Sequence, residues 1–261
     1  MRNILLDIQY DGTDFCGWQI QVGQRTVQGE LEKALERLHR HPVSLLTAGR
    51  TDSGVHAAGQ AGNFRSDMDS IPPQKFASAL NSMLPRDVRI RGSREVHADF
   101  HATHSALERR YRYAMYCARF ADPLLDRYRL RLPGMPSLSR LNQMASLLVG
   151  THDFASVASP KEDQTTVRTI TSAAFYPDQS GLLFEIAGNG FLWKMVRTIV
   201  GTVLLLAEQP DAAVMFQRIL AARDRGAAGK TAAPHGLSLY QVRYPAELLV
   251  PAGTRTLEGT P

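Results

Sequence analysis

In the segment AGRTDSGVHAAGQ, residues 48 to 60, Gly49 and Gly54 bracket Arg50, Thr51, Asp52 and Ser53. That spacing can present one carboxylate at a tight bend, with a guanidinium two residues away. The plainer alternative is a turn aspartate bonding its own backbone, as Asp before Ser-Gly readily does. A second chemical stretch is LERRYRYAMYCA, residues 107 to 118. Read as a strand, it sets Leu107, Arg109, Tyr111, Tyr113, Met115 and Cys117 on one face and Arg110, Arg112, Ala114 and Tyr116 on the other. Guanidinium forks and aromatic rings then share both faces.

Other suggestive strings carry less. GAAGKT, residues 226 to 231, ends like a phosphate-binding loop, but residue 224 is Asp where the first Gly belongs, and the segment follows a helix. Gly188-Asn189-Gly190 lacks the third glycine of a dinucleotide fingerprint and suits positive-φ turns. His97, His101 and His104 have only Asp99 as a nearby carboxylate and are expected to be structural or RNA-facing rather than metal ligands. No H-x-E with C-x-x-C occurs, which excludes a zinc nucleobase deaminase.

The elements that must position these residues follow from periodicity. Residues 3 to 10 alternate, with Ile4, Leu6, Ile8 and Tyr10 on one face and Asn3, Asp7 and Gln9 on the other, broken only by Leu5. Thr26 can cap a helix bearing Val27, Leu31, Ala34, Leu35 and Leu38. A strand from Val43, the bend at 48 to 54, an extended stretch through 60 to 64, a helix over 72 to 84 and a strand from Val88 complete a β-α-β-β-α-β first half. In the second half, Ser137 or Ser139 can cap a helix stopping at Gly150. A hairpin joins 167 to 175 with 182 to 186, and a long helix runs from about 191 to 207. Another helix after Pro210, capped by Asp211, precedes a closing strand over 237 to 242. This predicts an α+β fold: two similar α/β halves forming a largely antiparallel sheet, helices packed on one side, and a central cleft as the natural site. The expected divisions are 1–104, 105–245 and a C-terminal tail at 246–261, loose from Pro251.

The 261 residues include 30 Lys plus Arg against 25 Asp plus Glu, and 25 of the cations are Arg. Residues 86 to 131 hold 11 Arg, no Lys and 6 acids, so the whole net charge of +5 sits there. That matches an electrostatic footprint for nucleic acid, and equally a solvated surface rich in Arg. Cys16 and Cys117 alone can build neither a disulfide framework nor a four-cysteine zinc site. The longest apolar run, 199 to 207, is far short of the ~20 residues of a membrane span, and Asp7 interrupts any signal-peptide core. A cytoplasmic protein without membrane association is expected.

The whole sequence resembles the tRNA pseudouridine synthase A family. The carrying motifs, in order, are YDGTDFCGWQIQ (10 to 21), AGRTDSGVHA (48 to 57), LNSMLPRDV (80 to 88), DFHA (99 to 102), RRYRY (109 to 113), GTHDF (150 to 154), NGFLWKMVRTIVG (189 to 201) and HGLSL (235 to 239). They span about residues 3 to 245. The resemblance implies the pseudouridine synthase fold and isomerisation of uridine to pseudouridine at positions 38, 39 and 40 of the tRNA anticodon arm, without cofactor or metal and as a homodimer. It makes Asp52 the catalytic residue, nucleophile or base, and Tyr111 the aromatic ring on the flipped uracil. Arg197, in the M-V-R string, is the expected guanidinium partner of Asp52; Arg50 holds RNA, and Leu237 supplies apolar contact to the base. Departures are small: Ser53 where many members have Ala, Trp193-Lys194 where some have His-His, and Ser238 for a frequent Tyr. From other classes, a non-catalytic RNA-binding or RNA-folding protein would not need such a carboxylate, and a base-releasing glycosidase would use two.

Overall fold

The computed structural model describes residues 1–159 and 164–251. Two compact units emerge, one from residues 1–107 with the chain from Gln241 onward, the other from Glu108–Tyr240.

In the first unit, β1 (Arg2–Tyr10) leads to α1 (Val27–His39), β2 (Leu46–Thr47), β3 (His56–Ser66), α2 (Phe76–Asn81) and β4 (Val88–Val96). β1 lies between β3 and β4, antiparallel to both, and β2 pairs with β3. Thr26 caps α1 by accepting the Gly29 N–H. On one side of the sheet Phe64 of β3, Phe76 of α2 and His39 of α1 form a ring cluster with centroids 5.5 to 6.1 Å apart. The strand expected from Val43 is only the two residues of β2, because the Leu45 N–H is taken by the Glu32 carboxylate of α1 at 2.9 Å.

The opposite side of β1, polar by alternation, is covered as well. Leu5, Ala48, Ala61, Val96, Phe100 and Ala102 form a core there, and Tyr244, Leu248 and Leu249 pack on it. Asn3 is 2% exposed, and its amide donates to the His97 and Phe100 carbonyls. Asn63 donates to Asn3 and accepts the Ala102 N–H. A buried amide pair thus replaces solvent, each polar atom satisfied as burial requires. Ala246–Leu249 forms a 3-10 turn, and the Leu248 carbonyl accepts the His97 N–H. The rest of the expected tail, 252–261, lies outside the described residues.

In the second unit, β5 (Glu108–Cys117) is followed by β6 (Leu130–Leu132), α3 (Leu138–Ser146), β7 (Gly150–Asp153), β8 (Val167–Asp178), β9 (Gly181–Gly188), α4 (Met195–Leu206) and α5 (Ala212–Ala222). β10 (Leu237–Arg243) begins in this unit and ends in the first. The pairings β5–β9, β9–β8 and β8–β7 are antiparallel, while β5–β6 is parallel. Phe175 stacks on its cross-strand partner Phe184 at 4.4 Å. Asn142 of α3 clamps both backbone groups of Phe175, seating the helix on the sheet.

Several helix ends differ from the periodicity, and the helix expected over 72 to 84 is α-helical only over Phe76–Asn81. α3 ends at Ser146, and Gly150, at φ 113°, opens β7 instead of stopping the helix. α4 begins at Met195, because Lys194 adopts left-handed φ 60° and the Trp193 carbonyl is taken by the Ser159 N–H. Asp211 sits at the cap position of α5 but makes no side-chain cap bond. No helix among the described residues is long and apolar enough to cross a membrane.

Candidate active site

The bend carrying Asp52 is held by its neighbours in space, residues 10 to 18. Thr51 is buried; its hydroxyl bonds the Tyr10 phenol at 2.7 Å, and its carbonyl accepts the Trp18 N–H at 3.1 Å. The Phe15 carbonyl accepts the Gly54 N–H at 3.3 Å and the Ser53 hydroxyl at 3.1 Å. The Gly49 carbonyl, at the root of the bend, accepts the Gln60 side-chain amide at 2.7 Å. The turn closes through Val55 N–H to the Asp52 carbonyl at 3.1 Å, and Gly54 takes φ 76°.

Two glycines permit this packing. A Cβ on Gly12 would lie 2.0 Å from the Val55 carbonyl oxygen, and one on Gly17, itself at φ 87°, would lie 2.8 Å from that of Thr51. Phe15 and Trp18 are buried beside them. Asp52 is thereby carried half-buried on a bend whose backbone is tied at several points, while Arg50 is exposed. Such a support fixes the position of the bend from which the carboxylate projects. These supporting residues were missed as a group by sequence reasoning; the signal was the pair of glycines, Gly12 and Gly17, spaced around the aromatic residues.

The second unit holds the other three expected site residues. Tyr111 is 8% exposed on β5, its ring edge-on to Phe191 at 5.0 Å. Arg197 lies in the first turn of α4, half-buried, with Nε donating to the Ala232 carbonyl at 2.9 Å. Leu237 is 6% exposed at the start of β10. The segment 232 to 237, which ends in Leu237, packs against Arg197 and Tyr113: Ala232 meets Arg197, Ala233 accepts the Tyr113 hydroxyl at 2.8 Å, and Gly236 abuts the Tyr113 ring, where a Cβ would stand 2.6 Å from a ring carbon. Tyr113 is fully buried, and burial pushes its phenol well above the ordinary range, against an opposing pull from the nearby Arg197. Tyr113 is thus core, and Tyr111 is the ring two residues along the same face.

The suggestive strings find structural uses. In GAAGKT, Gly229 N–H donates to Thr202 of α4, Thr231 meets Thr198, and a Cβ on Gly201 would lie 1.9 Å from the Lys230 carbonyl oxygen. The segment is packed backbone against a helix. His97 accepts the Asp99 N–H, and His101 accepts the Thr103 N–H, both shaping the loop before β5. The arginine stretch is largely engaged internally. Glu185 binds Arg110 and Arg112 at 2.7 and 2.8 Å, Asp7 binds Arg94, and Asp178 binds Arg129. Arg112 also lies over the Tyr240 ring at 3.3 Å. The RRYRY string is therefore chiefly a neutralised strand.

Comparison with known proteins places this site in context. The family model described as tRNA pseudouridine synthase matches residues 8–105 and 144–245, taking in the Asp52 bend, the 10 to 18 support, Arg197 and Leu237. A protein of Treponema denticola named tRNA pseudouridine synthase A is 45% identical over 254 residues, 95% of each chain. Proteins of the same name from Shouchella clausii and Acetivibrio thermocellus are 40% identical over 96% of each chain, and 42% identical over 94% of this chain and 100% of theirs. With matches of this length on both sides of β5, the chain belongs to the tRNA pseudouridine synthase family.

Proposed function

We propose that the protein isomerises uridine to pseudouridine at positions 38, 39 and 40 in the anticodon arm of tRNA, with Asp52 as the catalytic residue and no cofactor. The observation that carries this reading is the Asp52 bend, one half-buried carboxylate on a backbone tied down by Tyr10, Phe15, Trp18 and Gln60. The reaction breaks the N1–C1′ bond, turns the uracil while it stays bound, and joins C5 to C1′. The C5 hydrogen leaves as a proton and N1 gains one, so the product is an isomer. One ionised carboxylate serves as nucleophile or base. Arg197 is assigned as the guanidinium partner of this carboxylate.

The target nucleotide must leave the stack, at a cost of a few kcal/mol. Tyr111 stacks on the extruded base, worth about 1–3 kcal/mol, and a stacked ring tolerates the base being turned. Leu237 adds apolar contact, and the exposed Arg50 holds phosphate. Treating modified tRNA with a soluble carbodiimide and reading reverse-transcriptase stops tests the assignment. Stops at 38, 39 and 40 are expected, and stops confined to another arm would overturn it.

The working unit is proposed to be a cytoplasmic homodimer. Supporting this, Leu124, Phe120 and Met135 are 85%, 74% and 58% exposed within one stretch of the second unit. Sedimentation equilibrium should give twice the 28.9 kDa chain mass, with Leu124→Asp shifting it toward one.

A further inference from the structure

Both strands flanking β1 are irregular at the same place. Opposite Asp7 and Ile8, β4 pairs Gly92 and Ile90, which leaves Arg91 as the extra residue of a bulge. Opposite Ile8 and Tyr10, β3 pairs Gln60 and Ala57, so Ala58 and Gly59 together face Gln9. A bulge bends its strand and re-aims a side chain. Here the two bulges border a single cavity of about 370 Å³, whose wall includes Asp7, Gly59, Arg91, Arg94, Arg243 and Tyr244.

Three guanidinium groups against one carboxylate make this hollow cationic. Asp7 takes Arg94 through two contacts of 3.2 Å, with both side chains more than 40% exposed. That is longer than the ~2.7–2.9 Å of a tight charged pair, so the fork is steadied while still open to a second anion. Arg91 is exposed and makes no hydrogen bond or ion pair among the described residues. An arginine brought into a hollow by a bulge, beside a second fork already oriented, is the arrangement that grips phosphate oxygens. Gln60 in the same wall donates to Gly49 at the root of the Asp52 bend. Five residues, including the turn, separate Asp52 from Ala58, so the two lie at most about 20 Å apart.

We propose that this pocket is a phosphate site for the RNA backbone, holding one phosphodiester of the substrate tRNA while a different nucleotide lies at Asp52. It rests on the reading that tRNA is the substrate, and it gives two residues of the 86 to 131 stretch, Arg91 and Arg94, a specific use. Arg94 and Arg243 complete the grip, and Asp7 positions Arg94.

The test uses the full chain carrying Asp52→Asn, so that binding is measured without turnover, and follows tRNA affinity from low to high salt. Arg91→Gln should weaken binding roughly fivefold to tenfold and make the slope of log affinity against log salt shallower by about 0.7–0.9 for the one phosphate lost. Arg91→Gln with Arg94→Gln should weaken it further. Arg37→Gln, on the exposed face of α1, should match the parent. With Asp52 intact, the Arg91→Gln penalty should fall more on KM than on kcat. Affinity and slope equal to those of the parent in Arg91→Gln would overturn the proposal. Because Arg91 is exposed and unpaired, that variant decides the matter even if the double variant does not fold. Absence of turnover by the wild type would instead count against the isomerase reading, leaving the salt slopes to judge the pocket.

Discussion

At the scale of residues, the buried contact between the Tyr10 and Thr51 hydroxyls adjoins Asp52 in the chain. Tyr10→Phe leaves the Thr51 hydroxyl without that partner, at an expected cost of about 1–3 kcal/mol measured by urea denaturation. Turnover should fall further than stability alone explains, because the bend loses its anchor; unchanged kcat would mean that the anchor does not position Asp52. Tyr113 gives a pH prediction. Burial raises its phenol pKa in the fold above the unfolded value near 10. Above pH 10 the unfolded chain therefore loses this proton first, and ∂ΔG/∂pH is negative. Stability is fully present below about pH 10 and declines above it by up to about 1.4 kcal/mol per pH unit. Tyr113→Phe should remove this part of the alkaline slope in denaturation curves between pH 9 and 11. The bracketing glycines singled out the Asp52 bend in the sequence, and the family resemblance gave Asp52 its expected role. The part played by Thr51 was not legible, because a hydroxyl shows its partner only when folding brings Tyr10 alongside.

Among elements, those with a strong period or a defined cap were readable: β1, α1 with Thr26, the β8–β9 hairpin and β5. Thr26→Ala should cost about 1 kcal/mol, within the usual 0.5–2 for a lost N-cap, as read from the urea midpoint. What escaped were elements defined by a partner. β2 shrinks because Glu32 takes a backbone donor, α4 starts late because Lys194 turns left-handed, and Asn3 is buried by a loop nearly a hundred residues away. The string 226 to 231 shows the converse, a motif whose glycine serves helix packing. Gly201→Ala would drive a Cβ into the Lys230 carbonyl. It should destabilise the second unit by about 1–3 kcal/mol, the usual range for overpacking. A Tm equal to wild type would show that the 229 to 232 segment is free to move aside.

For the molecule as a whole, the arginine excess of residues 86 to 131 does not amount to free positive charge. Glu185, Asp7 and Asp178 engage much of the arginine excess, so positive charge has to be judged fork by fork. The α+β class, the antiparallel pairing and the family were all legible, the first two from periodicity and the last from ordered motifs. The division of the chain was less so, since the segment from Gln241 returns to the first unit, where Tyr244, Leu248 and Leu249 cover the sheet. The central claim is that Asp52 makes a C5–C1′ bond in tRNA uridine. It is tested most directly with tRNA transcribed from uridine tritiated at C5, following tritium release into water. Wild type should release one to three tritium equivalents per tRNA. Asp52→Asn should release none while holding tRNA within about tenfold of the wild-type affinity, about 1.4 kcal/mol. Release by Asp52→Asn at the wild-type rate would contradict the account and move the chemistry to another residue.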